Sequence, residues 1–185
     1  WLKMQDAGLS WSPLDLVKGR LQIDELSLEA IHFLRKPQLP ASEKQKQKPQ
    51  KKKPSLSWLK DLPPINVRHL EFSKIVLDKA FCGQDALFSV NGSILLADRE
   101  LPPNLRIDLK QLDKKGLSLH CLAGFKKDTE EVKLKVKLEE SAEGFLQTCL
   151  SLPFTGAFSF DVEGIGPLAD WQGDLSLVQD AEELI

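Results

Sequence analysis

A mainly β chain laid out as an antiparallel meander is the fold class this sequence predicts, and three observations predict it. Apolar and polar residues alternate in many short runs, most cleanly where Val132, Leu134, Val136 and Leu138 are separated by Lys133, Lys135 and Lys137, and a period of two puts each set on its own face of a sheet. Such runs recur about eight to ten times at roughly ten-residue spacing, with turn residues between them. Only one stretch, residues 139–150, changes to a helical period.

The chain has 185 residues, enough for one β domain with a sizeable core and an insertion. Residues 1–35 read as its first strands, 36–57 as a disordered insertion and 58–185 as the remainder of the same domain. Formal net charge is −2, which by itself implies no nucleic-acid partner. From Lys36 to Ser57, however, seven lysines face one glutamate, so that segment carries +6 and the remainder −8. The chain begins at Trp1 with no charged-then-apolar leader, and no apolar run approaches the ~20 residues of a membrane-spanning helix. The expectation is a piece of a longer protein.

Taken in order, Ser12 to Lys18 suits a short helix or turn, with Pro13 at a first-turn position. Leu21, Ile23, Leu26, Leu28, Ile31 and Phe33 alternate with a phase that slips twice by one residue, as a β-bulge or a hairpin turn would make it. The insertion, rich in Pro, Gln and Lys, cannot bury enough surface to offset the entropy of ordering it. Lys51, Lys52 and Lys53 also fit a nuclear-import signal, and the whole segment fits a basic loop drawn to anionic lipid. Leu56, Trp58, Leu59 and Leu62 suggest a brief helical turn ended by Pro63 and Pro64.

Strands then follow closely. Ile65, Val67, Leu70, Phe72, Ile75 and Leu77 show the same slipping alternation. Leu87 to Val90 and Ile94 to Leu96 flank Asn91-Gly92, a turn dipeptide that predicts a hairpin. Leu105, Ile107 and Leu109 form the next run, Asp113 to Gly116 a turn, and Leu117, Leu119, Cys121 and Ala123 another run. After Val132 to Leu138 comes the helical stretch Glu139 to Leu150, with Phe145, Leu146, Cys149 and Leu150 on one face and Glu139, Glu140 and Glu143 near its positive end. Phe158, Phe160 and Val162 restore the alternation, Gly164, Gly166 and Pro167 make a turn, and Leu175 and Leu177 begin a last strand.

Little of this supports catalysis. His32, His69 and His120 are isolated and read as structural or surface residues. The Glu139-Glu140 pair suits helix capping better than acid–base work. Gly164-Ile165-Gly166 precedes a proline and a strand, where a dinucleotide loop would precede a helix. Lys133, Lys135 and Lys137 read as a solvated strand face, with phosphate binding the sharper alternative. Tyr is absent and the aromatics do not interleave with basic residues, so a nucleic-acid platform is not expected. Cys82, Cys121 and Cys149 lack a Cys-x-x-Cys pair, which argues against a zinc site; small buried thiols are expected, with one disulfide and a leftover thiol as the alternative. No catalytic residue, metal or cofactor is expected.

Two architectures remain. Two sheets closing on each other would give a sandwich, which alternation alone favours; one long sheet left open would give an apolar groove that something such as an acyl chain must fill.

Several stretches are similar to one family. Leu9-Ser10-Trp11-Ser12-Pro13-Leu14 and Gly19-Arg20-Leu21-Gln22-Ile23-Asp24-Glu25-Leu26 resemble the opening of the TamB (translocation and assembly module) family of AsmA-like proteins. Ile65-Asn66-Val67-Arg68-His69-Leu70-Glu71-Phe72 continues the resemblance, as does Leu138 to Leu146, where Ser141 and Glu143 stand in place of a Pro and a Gly. The most specific stretch is Val162 to Leu175, which resembles the family's recurring Gly-x-Gly-Pro-Leu-x-Asp-Trp-x-Gly-x-Leu. The resemblance covers nearly all of the chain except the lysine-rich segment.

This resemblance implies the N-terminal periplasmic part of a Gram-negative envelope protein, anchored to the inner membrane by a segment outside these residues. It implies a long curved sheet, a gutter with an apolar interior, that passes phospholipid between inner and outer membranes. It also implies an outer-membrane barrel partner, TamA-like, and a part in outer-membrane protein assembly. Under it, Val132, Leu134, Val136, Leu138, Phe158, Phe160 and Val162 would line the groove against phospholipid acyl chains. Phe145, Leu146, Cys149 and Leu150 would form either a lid across its mouth or a cap at its end. A structural module that templates outer-membrane strands without carrying lipid is the alternative.

Overall fold

The structure, a computed structural model, describes residues 2–35, 64–96, 104–114, 116–126, 129–153, 156–167 and 170–180. The expected insertion at 36–57 and the expected turn at Leu56 to Pro63 lie outside the described residues.

The slipped alternation of the second and third strands explains the architecture. β2 (Leu21–Phe33) and β3 (Ile65–Leu77) place their apolar residues with identical spacing, and they pair in parallel so that the two series fall opposite each other, Leu21 to Ile65, Ile23 to Val67, Leu26 to Leu70 and onward to Phe33 with Leu77. Asp24 and Arg68 are skipped together, as are Glu29 and Ser73, so each slip is a bulge shared by neighbours, and neither strand turns into a hairpin. Against the antiparallel β4 (Ala86–Leu96), the additional residues of β3 between Val67 and Leu70 and between Phe72 and Ile75 remain as register shifts. On the other side, β1 (Leu2–Trp11) meets the second bulge with Asp6, whose φ is 47°. Bulges bend a strand and raise its twist; aligned across several strands they bend the sheet as a unit.

The remaining strands are β4 (Ala86–Leu96), β5 (Asn104–Gln111), β6 (Ser118–Lys126), β7 (Glu131–Glu140), β8 (Phe158–Pro167) and β9 (Gln172–Gln179). All nine form one open, curved sheet in sequence order, antiparallel at every junction except β2–β3. The sandwich that alternation favoured is therefore corrected: a single sheet keeps one face apolar and does not fold back on itself. The parallel junction needs a long crossover, and the chain between β2 and β3 is where the insertion falls.

Asn91-Gly92 makes no turn. β4 runs straight through it, with Asn91 opposite Asp108 and Gly92 opposite Ile107. The glycine is needed for close approach, since a Cβ there would stand 2.3 Å from the Arg106 carbonyl oxygen. A turn dipeptide signals a hairpin only where the flanking runs cannot continue as one strand, and here the inward series Ala86, Phe88, Val90, Gly92, Ile94, Leu96 is unbroken.

Among the described residues, three short helices decorate the sheet. α1 (Pro13–Val17), N-capped at Ser12 with Pro13 in the first turn, matches the expected helical turn and buries no residue. α2 (Lys79–Cys82), which the alternation did not reveal, is capped by the Asp78 carboxylate accepting from the Ala80 N–H at 2.8 Å and ends at Gly83 in the left-handed region. α3 is only Phe145–Leu150, and the helix expected over 139–150 is corrected accordingly. Glu139 and Glu140 belong to β7, where they pair with Ser159 and Phe158.

α2 and α3 build the core at one end of the apolar face. Phe145 inserts beside Ala86, Phe88 and Leu117, all buried, with Ile75, Leu77, Leu109, Leu138 and Leu146 around them. Its ring meets that of Phe88 edge-on at 5.0 Å, and Phe81 of α2 lies against Phe33 at 5.7 Å. Burying one such ring is worth roughly 2–3 kcal/mol.

Candidate functional site

Residues directly opposite on neighbouring strands share a face, so the pairings can be followed across the sheet as rows. One row runs Leu9, Leu26, Leu70, Gly92, Ile107, Cys121, Val136, Val162, Leu175. A second runs from Ala7 and Leu28 through Phe72 and Leu138 to Phe160 and Leu177, and a third from Trp11 and Ile23 through Ile94 and Leu134 to Gly164 and Gly173. None of the three holds a charged residue. At roughly 4.8 Å per strand each row follows the curved sheet for about 38 Å.

The residues expected to line a groove are brought together on this face. Val136 stands opposite Val162, Leu138 opposite Phe160, and Val132 and Leu134 opposite Gly166 and Gly164, and all are half-buried. Phe158 faces Glu140 at the margin. The intervening lysines are exposed on the reverse face, as their alternation predicted.

That reverse face is a lattice of ion pairs. Lys135 Nζ lies 2.6 Å from Glu163 across β7–β8, and Lys137 Nζ lies 2.6 Å from Glu139. The hydrogen bond from Lys135 lowers the Glu163 carboxyl below its ordinary range, and that from Lys137 does the same for Glu139. On β5–β6, Asp108 is lowered by its hydrogen bond to His120 and, after the opposing effect of burial, by Arg106. All are solvent-screened and add little stability; Lys135–Glu163 and Asp108–His120 link neighbouring strands, whereas Lys137–Glu139 and Arg106–Asp108 each lie within one strand. Cys121, in the apolar row opposite Ile107 and Val136, is a free thiol pushed upward by burial.

The expected lid residues are split. Phe145 is buried, Leu146 and Cys149 half-buried, and Leu150 is 61% exposed; Gln147 takes the inward place instead, its amide donating to the Ser141 and Gly156 carbonyls at 3.3 and 2.9 Å. α3 sits at the end of the sheet, over Phe88 and Leu138, so it is a cap. Its first turn is held by Glu140, 3% exposed, whose two carboxylate oxygens accept from the Leu146 and Gln147 N–H groups at 2.6 and 3.2 Å. Glu140 does cap a helix, from the preceding strand, whereas Glu139 does not. Cys149 is joined to Cys82 by a disulfide, which corrects the expectation of three buried thiols in favour of one bridge and one leftover. Their spacing of 67 residues offers no motif from which the pairing could be read.

The far margin of the face is covered by a residue the alternation also missed. Trp171, in the connection between β8 and β9, lays its indole over two paired glycines: a Cβ on Gly164 would stand 2.4 Å from Trp171 Cζ2, and one on Gly173 2.4 Å from Cη2. Its Nε1 donates to the Val132 carbonyl at 3.1 Å. The sequence signal was present in Gly164, Trp171 and Gly173, an aromatic flanked by residues small enough to admit it.

Fold and face together define an open amphipathic β-sheet with a continuous apolar surface, capped at one end by a disulfide-linked helix pair and at the other by an indole. No protein-family model, curated protein or solved structure matches the chain. Among the described residues no helix is long and apolar enough to cross a membrane and no cluster of metal-ligating side chains occurs.

Proposed function

We propose that this chain is a membrane-proximal periplasmic segment of a TamB-like, AsmA-like envelope protein, and that its apolar face is a groove that passes phospholipid acyl chains between inner and outer membranes. The observation that carries the reading is the set of three uncharged rows crossing all nine strands. Among the described residues, the cap formed by α2 and α3 and the indole of Trp171 cover only their margins. Exposed continuous apolar surface of this extent is costly in water unless a ligand fills it. The Cys82–Cys149 bridge supports an oxidising compartment such as the periplasm. In this reading the inner-membrane anchor lies outside these residues, a TamA-like barrel is the outer-membrane partner in protein assembly, and no side chain performs catalysis.

Native mass spectrometry of the protein purified under gentle conditions tests it. Phospholipid adducts that leave at higher collision energy are expected, and their absence overturns the groove. A second reading rests on β9, an edge strand whose eight residues are all exposed: it would pair with a nascent outer-membrane strand. That reading expects peptide binding at the edge without lipid adducts.

A further inference from the structure

The rows do not give the apolar face a constant width. Across β2, β3 and β4 six inward positions pair on each strand, from Leu21–Ile65–Leu96 to Phe33–Leu77–Ala86. The last two of these rows, those of Ile75 and Leu77, pack under the α2–α3 cap. Across β8 and β9 the bare apolar rows are reduced to two, Val162–Leu175 and Phe160–Leu177. On one side they stop at Phe158–Gln179, where a polar side chain enters the face; on the other they stop at Gly164–Gly173, where the indole of Trp171 stands. At about 3.4 Å per residue, two inward rows make a strip roughly 14 Å across, against about 27 Å for the four uncapped rows over β2–β4.

Trp171 is built into its place as a wall. The glycine pair beneath it excludes any side chain that would lift the ring, and the hydrogen bond to Val132 fixes its azimuth. The indole is only half-buried, so one side of it is available to a ligand lying on the Val162–Leu175 row. Aromatic rings are suited to this work, offering a large apolar surface with a polar tip that is here already satisfied. Leu175 and Leu177, 68% and 58% exposed, form the floor beside it.

We propose that Trp171 is the acyl-contact residue that sets the width of the groove at its β8–β9 end, so that the two chains of a single phospholipid lie abreast between the indole and Gln179. The inference rests on the groove reading above and adds to it a position and a limiting width. Wider bundles of chains fit over β2–β4 and must thin to one molecule here.

The test uses the protein's own fluorescence. With Trp1, Trp11 and Trp58 replaced by Phe, Trp171 is the sole tryptophan and the sole emitter. The protein is loaded from phosphatidylethanolamine whose acyl chains are either plain or dibrominated at mid-chain, and loading is verified by native mass spectrometry. Bromine quenches an indole it touches, so brominated chains are expected to reduce Trp171 emission at least twofold relative to plain chains. Adducts present with emission unchanged would overturn the role of Trp171 while leaving the groove intact; no adduct with either lipid would overturn the groove itself. In the otherwise native chain, Trp171→Phe should keep most of the bound lipid and Trp171→Ala should lose it at least threefold. Equal retention in the two would also overturn the proposal.

Discussion

Cys82 and Cys149 bring α2 and α3 within 4.8 Å of each other, Cα to Cα, across 67 residues of sequence. The bridge closes a loop containing β4 to β7, and it ties together the two helices that cap the apolar face. In the chain-entropy account a loop of this length is worth about 4 kcal/mol, less any strain. Cys82→Ser with Cys149→Ser should therefore lower thermal stability by roughly 8–16 °C, given about 2–4 °C per kcal/mol for a domain of this size. Hydrogen exchange should quicken first in α3 and last in β6–β7. A double variant melting within 2 °C of the parent would show that packing around Phe145 holds the cap without the bridge.

Glu140 closes the same end by a different device. Its buried carboxylate accepts from the N–H groups of Leu146 and Gln147, the second and third residues of α3, which a strand residue can do because Gly144, with no Cβ to obstruct it, lets the carboxylate lie alongside: a Cβ there would stand 2.2 Å from Glu140 Cγ. Glu140→Ala leaves two orphaned donors at a helix start and should cost about 1–3 kcal/mol in urea unfolding. Glu140→Gln, which keeps one acceptor, should cost about half that. A loss below about 0.5 kcal/mol for the alanine variant would mean water replaces the carboxylate without penalty.

What could be read from the sequence follows from where local pattern and global pairing agree. β7 was legible because Val132 to Leu138 alternates without interruption, and its neighbours on both sides are antiparallel. β2 and β3 were legible as strands, but their slips looked like separate irregularities; only the pairing shows that the two series match residue for residue, 44 positions apart. β1 falls within the stretch read as first strands but has no clear pattern of its own, because its slip at Asp6 breaks an already weak alternation of Leu2, Met4, Leu9 and Trp11. Glu140 misleads in the opposite sense, since a carboxylate beside a helix start reads as part of the helix although it caps α3 from the end of β7. Periodicity gives Trp171 no role, because that role depends on two glycines becoming neighbours across a strand pair, and that is a tertiary fact.

An inward charge offers the direct probe of the face. Leu134 and Phe160 sit on neighbouring strands in the two rows that flank the Val136–Val162 row, and an aspartate at either place puts a carboxylate against apolar surface, disfavouring both the bare face and any chain lying on it. Leu134→Asp and Phe160→Asp should each reduce co-purified phospholipid at least fivefold. Leu134→Ile and the reverse-face control Lys135→Ser should leave it within a factor of two. Either aspartate variant staying folded by circular dichroism while keeping the parent's lipid content would remove this face from the ligand's path.

Cys121 reports on the same surface without mutation. With Cys82 and Cys149 bridged it is the free thiol of the chain, and it lies in the central row between Ile107 and Val136. Burial raises its pKa above the ordinary 9.0, and the thiolate is the reactive form. The sign for stability follows: below the unfolded value the thiol is neutral in both states and contributes nothing, and as pH rises past it the unfolded chain ionises first, so stability falls. For reactivity, alkylation by iodoacetamide at pH 8 should be several-fold slower in the native protein than in the same protein in 6 M guanidinium. Its rate should still be climbing above pH 9.0, where an unperturbed thiol levels off. Loading with phospholipid should slow it further, because a chain on the central row covers the sulfur. Native and denatured rates that coincide at pH 8 would place water freely on the middle of the face, and rates unchanged by bound lipid would place the ligand elsewhere.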